Sequence, residues 1–357
     1  MKLRLGFEYW PYELFYIPVY LRVLVEGLLR GSPTYFTAAN PSMRFGGFVA
    51  YSKYQALERI PSQYLPKTLY YDGLPDNAVV AQAMASRGIS FPVVAKPDHG
   101  ERGFAVAVMH SMEELREYGN LLCAPFLIQE LVPHEREYGV LYARRPTEAR
   151  GRISSLVVKE LPAVTGDGIH SLSYLIDNSE RLRRYAHEFE EIKRESGHGI
   201  PKAGERVLLH YIGNHSRGTT FRSGRRLINK LPLELFDSLA GGIPGFFVGR
   251  FDIKAESFDH VCRGEFKVIE VNGVNSEPAH IYDPENGILE AYRDLMRHWR
   301  LVGKIAADNL RSGEKPAGLR DLLSHTRAHL SKKKKHGAGK VPEGGSETPA
   351  PLEVVNP

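Results

Sequence analysis

A carboxylate and an amide stand two residues apart in the apolar stretch FKVIEVNGVNSEPA, residues 266–279. The first half of this stretch alternates as a strand does, so Glu270 and Asn272 would project from one face while Ile269 and Val271 project from the other. Two oxygen donors held side by side suit the binding of a cation. A half-exposed strand that ends in a loop would show the same pattern, and this stretch alone does not decide between the two.

A second candidate lies in VVAKPDHGERGFAVAV, residues 93–108, where an apolar strand ends at Lys96 and a polar loop holds Gly100 and Gly103. Glycines between two strands let backbone N–H groups approach a phosphate, and a lysine at the strand end supplies a point charge. A plain glycine-containing hairpin is the alternative. Neither GxxxxGK[ST] nor a helix-opening GxGxxG is present, so the sequence lacks the main signals of the P-loop and Rossmann folds.

Composition and charge restrict the classes of protein that fit. The 357 residues are enough for about two domains with a sizeable core. The two cysteines, Cys123 and Cys262, lack CxxC spacing, which favours a reducing compartment and predicts a cytoplasmic protein. The net charge of +5 comes largely from the lysines at 332–335. We therefore interpret the excess as a solvated basic tail and do not expect nucleic-acid binding.

The segment from Tyr9 to Leu29 is rich in aromatic and aliphatic residues. Internal charges such as Glu13 and Glu26, together with Pro18, argue against a membrane span or a signal peptide. An amphipathic helix that docks on the core, or that makes weak peripheral contact with a membrane surface, fits the pattern.

Helix and strand signals divide the chain into four parts and predict the α+β class. Residues 1–70 form a short N-terminal α/β unit, with a second strand at TYFTAAN, residues 34–40. Residues 71–150 and 151–310 form two α+β lobes. Residues 311–357 contain a helix at GLRDLLSHTRAHL and then a Lys-, Gly- and Pro-rich tail, for which we expect disorder from about residue 332.

Five motifs follow one another over about 225 residues: SKYQALERIPSQYLPKT, FPVVAKPDHGERG, LIQELVPHEREYGV, GRFDIKA and VIEVNGVN. In that order and spacing they resemble the ATP-grasp superfamily of carboxylate–amine ligases. The stretches LPAVTGDGIHSLSYLI and GNHSRGTT are similar to the matching region of cyanophycin synthetases, and the central and C-terminal parts to D-alanine–D-alanine ligase-like enzymes. The resemblance implies an ATP-grasp fold in which two lobes clamp the nucleotide.

The resemblance also implies a role for each matching residue. Lys53 and Lys96 match the lysines that contact the α- and β-phosphates, and the loop holding Gly100 and Gly103 matches the flap over the triphosphate. Glu130 lies in the segment that binds the adenine edge, and Glu137 matches the carboxylate that holds the ribose hydroxyls. The magnesium ligands correspond to Asp252, Glu270 and Asn272, and the arginine that steadies an acylphosphate corresponds to Arg250.

Several of these assignments have simpler alternatives. Glu130 and Glu137 would also suit solvated strand ends, and Arg250 a surface ion pair. Lys159 either reaches the γ-phosphate or is exposed on its strand. The loop with Asn214, Ser216 and Arg217 faces a phosphate or substrate, or is a plain turn. We expect the loop histidines, His99, His134 and His215, to be solvated, since none has metal-ligand spacing.

The predicted function is an ATP- and Mg2+-dependent ligase that activates a carboxylate as an acylphosphate and joins it to an amine, with release of ADP and phosphate. The alternatives are a kinase-like phosphotransferase and a non-catalytic ATP-binding regulatory protein. Departures from the family pattern leave both small-molecule substrates open: GVNSEPAHIYDP replaces the usual Pro-Gly loop after Asn272, and only about 50 residues precede Lys53. The oligomeric state is likewise left open.

Overall fold

Two antiparallel sheets form the framework around one cavity. The computed structural model describes residues 6–73, 75–100 and 103–337 of the chain. The strands in chain order are β1 (Thr68–Tyr71), β2 (Val93–Pro97), β3 (Ala107–Met109), β4 (Phe126–Glu130), β5 (Arg136–Ala143), β6 (Arg152–Glu160), β7 (Ala163–Thr165), β8 (Arg206–Leu208), β9 (Thr220–Ser223), β10 (Val248–Ala255) and β11 (Lys267–Asn272). The smaller sheet has the order β1-β4-β2-β3, the larger one β11-β10-β5-β6-β9, and β7 pairs with β8 alone.

Helices cover one side of each sheet. In chain order they are α1 (Tyr12–Phe15), α2 (Ile17–Leu29), α3 (Lys53–Leu57), α4 (Asn77–Ser86), α5 (Met112–Leu122), α6 (Leu172–Asn178), α7 (Glu190–Ser196), α8 (Leu233–Gly242), α9 (Phe258–Cys262), α10 (Ile288–Arg311) and α11 (Leu319–Gly337). Helices α4 and α5 pack on the smaller sheet, and α8 packs on the larger one through Phe236 and Leu239. The predicted α+β class is confirmed.

Two local predictions in the outer parts of the chain are wrong. TYFTAAN was expected to be a strand because of its β-forming residues, but Tyr35–Ala39 forms a 3-10 helix that packs against α10. Burial against α10 overrides the local strand preference here. The C-terminal helix is confirmed, but α11 continues to Gly337, so the disorder expected from residue 332 does not begin there. The rest of the predicted tail lies outside the described residues, as do residues 1–5 at the start of the predicted N-terminal unit.

The apolar N-terminal segment forms α1 and α2, as expected for an amphipathic helix. One side of α2 packs on α10, where Val19 is buried. The opposite side leaves apolar residues exposed, among them Leu21 and Leu28 at 59% and 74%. Within the described ranges, no helix combines the length with the apolar character needed to cross a membrane. Peripheral membrane contact through α2 stays a prediction.

The two sheets divide the chain at slightly different positions from the predicted lobe boundaries. β5 begins at Arg136, before the predicted boundary at 150/151, and pairs with β10 and β6 in the larger sheet. β1 begins at Thr68, before the boundary at 70/71, and pairs with β4 in the smaller sheet. The four predicted domain ranges remain predictions.

Candidate active site

The larger sheet presents a charged face because β10 alternates strictly. Phe251 and Ile253 point into the core beneath α8, so Arg250, Asp252 and Lys254 point the other way. The register pairs Asp252 with Glu270 and Arg250 with Asn272 on β11. Strand pairing therefore brings together the predicted metal ligands and the predicted catalytic arginine.

The neighbouring strands extend the same face. Glu137 on β5 pairs in register with Lys254 on one side and with Lys159 on the other. Lys159 Nζ lies 2.5 Å from Glu137 Oε1 and 3.6 Å from Asp252 Oδ2. Although burial alone would lower the pKa of Lys159, the carboxylates of Asp252 and Glu137 raise it. Lys159 is only 5% exposed, which excludes the alternative of an exposed strand lysine.

Asp252 is the carboxylate at the centre of these contacts. Its two oxygens accept from Arg250 Nε at 2.6 Å and Nη2 at 2.9 Å, and Oδ2 also accepts from Asn272 Nδ2 at 3.2 Å. Burial opposes ionisation, but Arg250 and Lys159 hold the pKa of Asp252 below its ordinary value. Arg250 is thus an ion-pair partner, but inside the cavity and not on the outer surface.

Lys53 reaches the cavity because its helix is anchored to the end of β2. Ser52 caps α3 by accepting from Gln55 N, and Asp98 Oδ1 accepts from both Ser52 Oγ and Tyr54 N at 2.9 Å. These contacts hold the first residue of α3 beside the strand end that carries Lys96. Lys53 Nζ lies 3.1 Å from Glu270 Oε1, and it lowers the pKa of this carboxyl against the effect of burial.

Lys96 links the smaller sheet to the larger one. Its Nζ donates to Gln129 Oε1 at 2.9 Å on β4 and to the Ile269 carbonyl at 2.8 Å. Ile269 is the extra residue of a β-bulge, since Asp252 pairs with Glu270 and Ile253 with Val268. Burial, together with the positive charge of Lys53, lowers the pKa of Lys96 to about 8.

We call these eight side chains the charged cluster: Lys53, Lys96, Glu137, Lys159, Arg250, Asp252, Lys254 and Glu270. They line a cavity of about 840 Å3, a size typical of small-molecule sites. The cations outnumber the carboxylates, so the cluster favours an anionic ligand. Lys254 was missed by the sequence analysis, although the alternation in GRFDIKA places it on the face of Asp252. Burial lowers the pKa of Lys254.

Other predicted residues take less central positions. Gly103 lines the cavity beside Asn214, whereas Gly100 lies outside its wall. Glu130 also lines it, and its Oε1 accepts from Lys67 N at 2.9 Å. The roles assigned to these residues and to Glu137 by resemblance remain predictions.

Only some of the residues predicted to matter in the loop after β8 line the cavity. Asn214 and Ser216 line the cavity, but Arg217 is not part of its wall and pairs with Glu188 at 3.5 Å. The expectation of a solvated His215 is wrong. Its side chain is 19% exposed and lines the cavity, where its Nε2 lies 3.1 Å from Glu8 Oε2.

The donor set near Asp252 fits a hard cation. Asp252, Glu270 and Asn272 offer two carboxylates and an amide oxygen from adjacent positions on β10 and β11, as Mg2+ prefers. Asn272 Oδ1 accepts from Tyr51 OH at 2.8 Å while its Nδ2 donates to Asp252 Oδ2, so Asn272 would bind Mg2+ through an oxygen that it shares with Tyr51. Among the described residues, groups of three or more His, Cys, Asp and Glu side chains arranged for a metal are absent.

The far end of the cavity is aromatic. We call it the aromatic compartment and define it by the following lining residues: Phe7, Trp10, Tyr12, Phe15, Tyr16, Tyr20, Phe36, Phe48, Tyr282 and Trp299. The N-terminal segment is held in place by Arg181, which donates to Glu8 Oε2 at 2.9 Å and to the carbonyls of Gly218 and Thr219. Glu277 also lines this cavity, and burial raises its pKa to about 7.

Comparison with solved structures returned matches at low identity. They include D-alanine–D-alanine ligase from Bacillus anthracis, with 12% identity, a TM-score of 0.39 and coverage of 73% of this chain and 67% of that chain. The ATP-grasp ligase PsnB complexed with minimal precursor has 12% identity, a TM-score of 0.35 and coverage of 74% and 61%. A bifunctional glutathione synthetase from Pasteurella multocida has 14% identity, a TM-score of 0.34 and coverage of 71% and 38%.

One of these structures, PsnB, is described as an ATP-grasp ligase. The present chain spans about two fifths of the length of the glutathione synthetase and about three fifths of PsnB. A scan against protein-family models found no match, and a search of curated proteins found none either.

Proposed function

We propose that this chain is an ATP-grasp enzyme that activates a carboxylate with Mg·ATP and joins it to an amine. The observation that carries the proposal is the charged cluster: buried lysines from both sheets converge with Arg250 on one cavity, beside the carboxylates of Asp252 and Glu270. A polyphosphate is the small ligand that best matches several buried cations next to a candidate magnesium site.

The nucleotide would lie between the sheets. Lys96 and Lys53 would contact its phosphates, and the loop that holds Gly103 would lie over them. Glu130 and the following residues, Leu131 and Val132, line the part of the cavity nearest the smaller sheet, which supports their assignment to the adenine end. Asp252, Glu270 and Asn272 would hold Mg2+, which neutralises charge on the phosphates when bound.

The proposed reaction has two steps. The substrate carboxylate attacks the γ-phosphorus, the bond to the β-phosphate oxygen breaks, and ADP leaves as an acylphosphate forms. The amine then attacks the acyl carbon and displaces phosphate, losing a proton. Lys159 and Arg250 would orient the reacting oxygens and stabilise their developing charge. A covalent protein intermediate is not required.

The test is a screen of amino acids and small carboxylates for Mg2+-dependent release of ADP. Hydroxylamine, supplied in place of the amine, should capture the acylphosphate as a hydroxamate. Lys159→Met should lose this activity, with Lys230→Met at an exposed lysine as the matched control. AMP and pyrophosphate as products would contradict the mechanism. A stable phosphorylated alcohol as the sole product would instead support a phosphotransferase.

A further inference from the structure

The aromatic compartment begins directly beside the charged cluster. Lys159 Nζ lies 5.9 Å from the centre of the Phe221 ring, and the Phe221 and His215 rings are 5.4 Å apart. The His215 ring lies 5.4 Å from Tyr282, whose ring is 6.1 Å from that of Phe15. A continuous line of rings therefore runs from the proposed phosphate end to the N-terminal helices.

The compartment is well ordered by packing against the core. The Phe15 ring stacks against those of Phe7 and Tyr292 at 5.4 and 5.1 Å, and Phe15 is 2% exposed. Phe36 packs against Phe48 at 5.0 Å and against Trp299 at 6.1 Å. These contacts fix a wall of aromatic faces and edges, which suits an apolar ligand group.

Charge within the described cavity wall is distributed unevenly. Every lysine and arginine that lines it belongs to the charged cluster. In the aromatic compartment, Glu8 is engaged by Arg181 and His215. Glu277, with its pKa raised to about 7 by burial, is largely protonated below neutral pH. A ligand with an anionic head and an apolar body would therefore bind with its head toward Lys159 and Arg250.

We propose that the carboxylate substrate is amphiphilic, with its carboxylate at the charged cluster and an aliphatic or aromatic group in the aromatic compartment. This inference rests on the proposed function and names the substrate class of the same site. Each methylene that becomes buried should raise the affinity about fourfold. Affinity should consequently increase from acetate to butanoate to octanoate, and 3-phenylpropanoate should bind much more tightly than acetate.

Tryptophan emission gives a binding assay that does not need turnover. The chain has two tryptophans, Trp10 and Trp299, and both line the cavity. Titration with octanoate or 3-phenylpropanoate should change their emission at concentrations at least tenfold lower than acetate requires. The uncharged 3-phenylpropanamide should bind at least tenfold more weakly than 3-phenylpropanoate, because it lacks the charge that faces the cluster. Equal affinity for acetate and octanoate would overturn the inference.

Two further measurements locate the ligand. Saturating Mg·ADP should leave octanoate bound, whereas competitive displacement would show that octanoate occupies the nucleotide end and would refute the compartment. Tyr20→Ala should weaken octanoate binding severalfold. Leu21→Ala, at a neighbouring exposed residue of α2 outside the cavity wall, should not. Equal octanoate affinity in both variants would count against the proposed location.

The outcomes separate this inference from the proposed function. If Mg·ADP does not bind, or no carboxylate supports ADP release with hydroxylamine, the ligase proposal fails, while the emission titrations still decide the compartment. If ADP is released equally well with acetate and octanoate, the ligase proposal stands and the amphiphilic substrate class is wrong.

Discussion

Replacing Lys96 with methionine should change the pH dependence of stability in a defined direction. Burial and the charge of Lys53 hold the pKa of Lys96 at about 8 in the folded chain, against an ordinary value of 10.5. The unfolded chain therefore binds more protons than the folded one between these values. The free energy of unfolding rises with pH across this window, because the destabilising buried charge is lost.

The size of the effect follows from the two pKa values. At pH 7 the buried charge costs about 3 kcal/mol, and at pH 10 the remaining cost is below about 1 kcal/mol. Between these pH values, wild-type stability should thus rise by roughly 2–3 kcal/mol relative to the methionine variant. At pH 7 itself, the variant should gain less stability over the wild type than the removed charge alone would give. Methionine also leaves Gln129 Oε1 and the Ile269 carbonyl without their donor, which costs about 1–3 kcal/mol each.

Urea unfolding at a series of pH values measures this difference, with Lys230→Met as the control for a lysine at the surface. The variant should also lose the stabilisation by Mg·ATP, which in the wild type amounts to about 2.7 kcal/mol at a ligand concentration of 100 Kd. If the free energy of unfolding changed with pH in the same way in wild type and Lys96→Met, Lys96 would not be a buried cation with a lowered pKa. An unchanged response to Mg·ATP would refute its phosphate role.

Three further outcomes are expected. Asp252→Asn should lower the free energy of unfolding by about 3–5 kcal/mol, since it removes the buried carboxylate that pairs with Arg250 and leaves Lys159 with Glu137 alone. A loss below about 1 kcal/mol in urea unfolding would contradict this. Glu270→Gln should raise about tenfold the Mg2+ concentration that ATP needs to increase the Tm, because an amide is a poorer ligand than a carboxylate. An unchanged Mg2+ requirement would exclude Glu270 as a metal ligand. Removal of residues 338–357 should leave the Tm nearly unchanged in calorimetry, because their composition offers little apolar surface. Removal of residues 319–357 should lower the Tm by several degrees, since Leu322 of α11 belongs to the core. Equal Tm values for both truncations would show that α11 contributes nothing to stability.

The parts of the site that could be predicted from the sequence are those fixed by strand alternation. The spacing of Glu270 and Asn272 predicted a shared strand face, and β11 presents both beside Asp252. The same rule applied to GRFDIKA would have found Lys254. The strand β5 was not predicted, although its Glu137 completes the cluster, because charged residues at its start obscured the apolar alternation that follows.

The aromatic compartment could not be predicted because it depends on contacts between distant parts of the chain. Residues near Tyr12 are aromatic enough to suggest a core or a membrane surface, and the sequence does not say which side of α2 faces inward. Packing of α2 against α10 brings Trp299 to the same wall across more than 280 residues. His215 was misassigned for a related reason: its loop becomes part of the cavity only when Arg181 ties it to the N-terminal segment.

The alternation of β10 also makes the chain intolerant of length changes inside this strand. One residue inserted between Val248 and Arg250 would slip the register and exchange the two faces, so that Arg250 and Asp252 would enter the core and Phe251 would face the cavity. Substitutions on either face change one contact at a time, whereas an insertion would remove the charged face and the hydrophobic packing together. Variation in chain length among relatives should therefore fall outside β10, and the spacing from Val248 to Asp252 should be invariant.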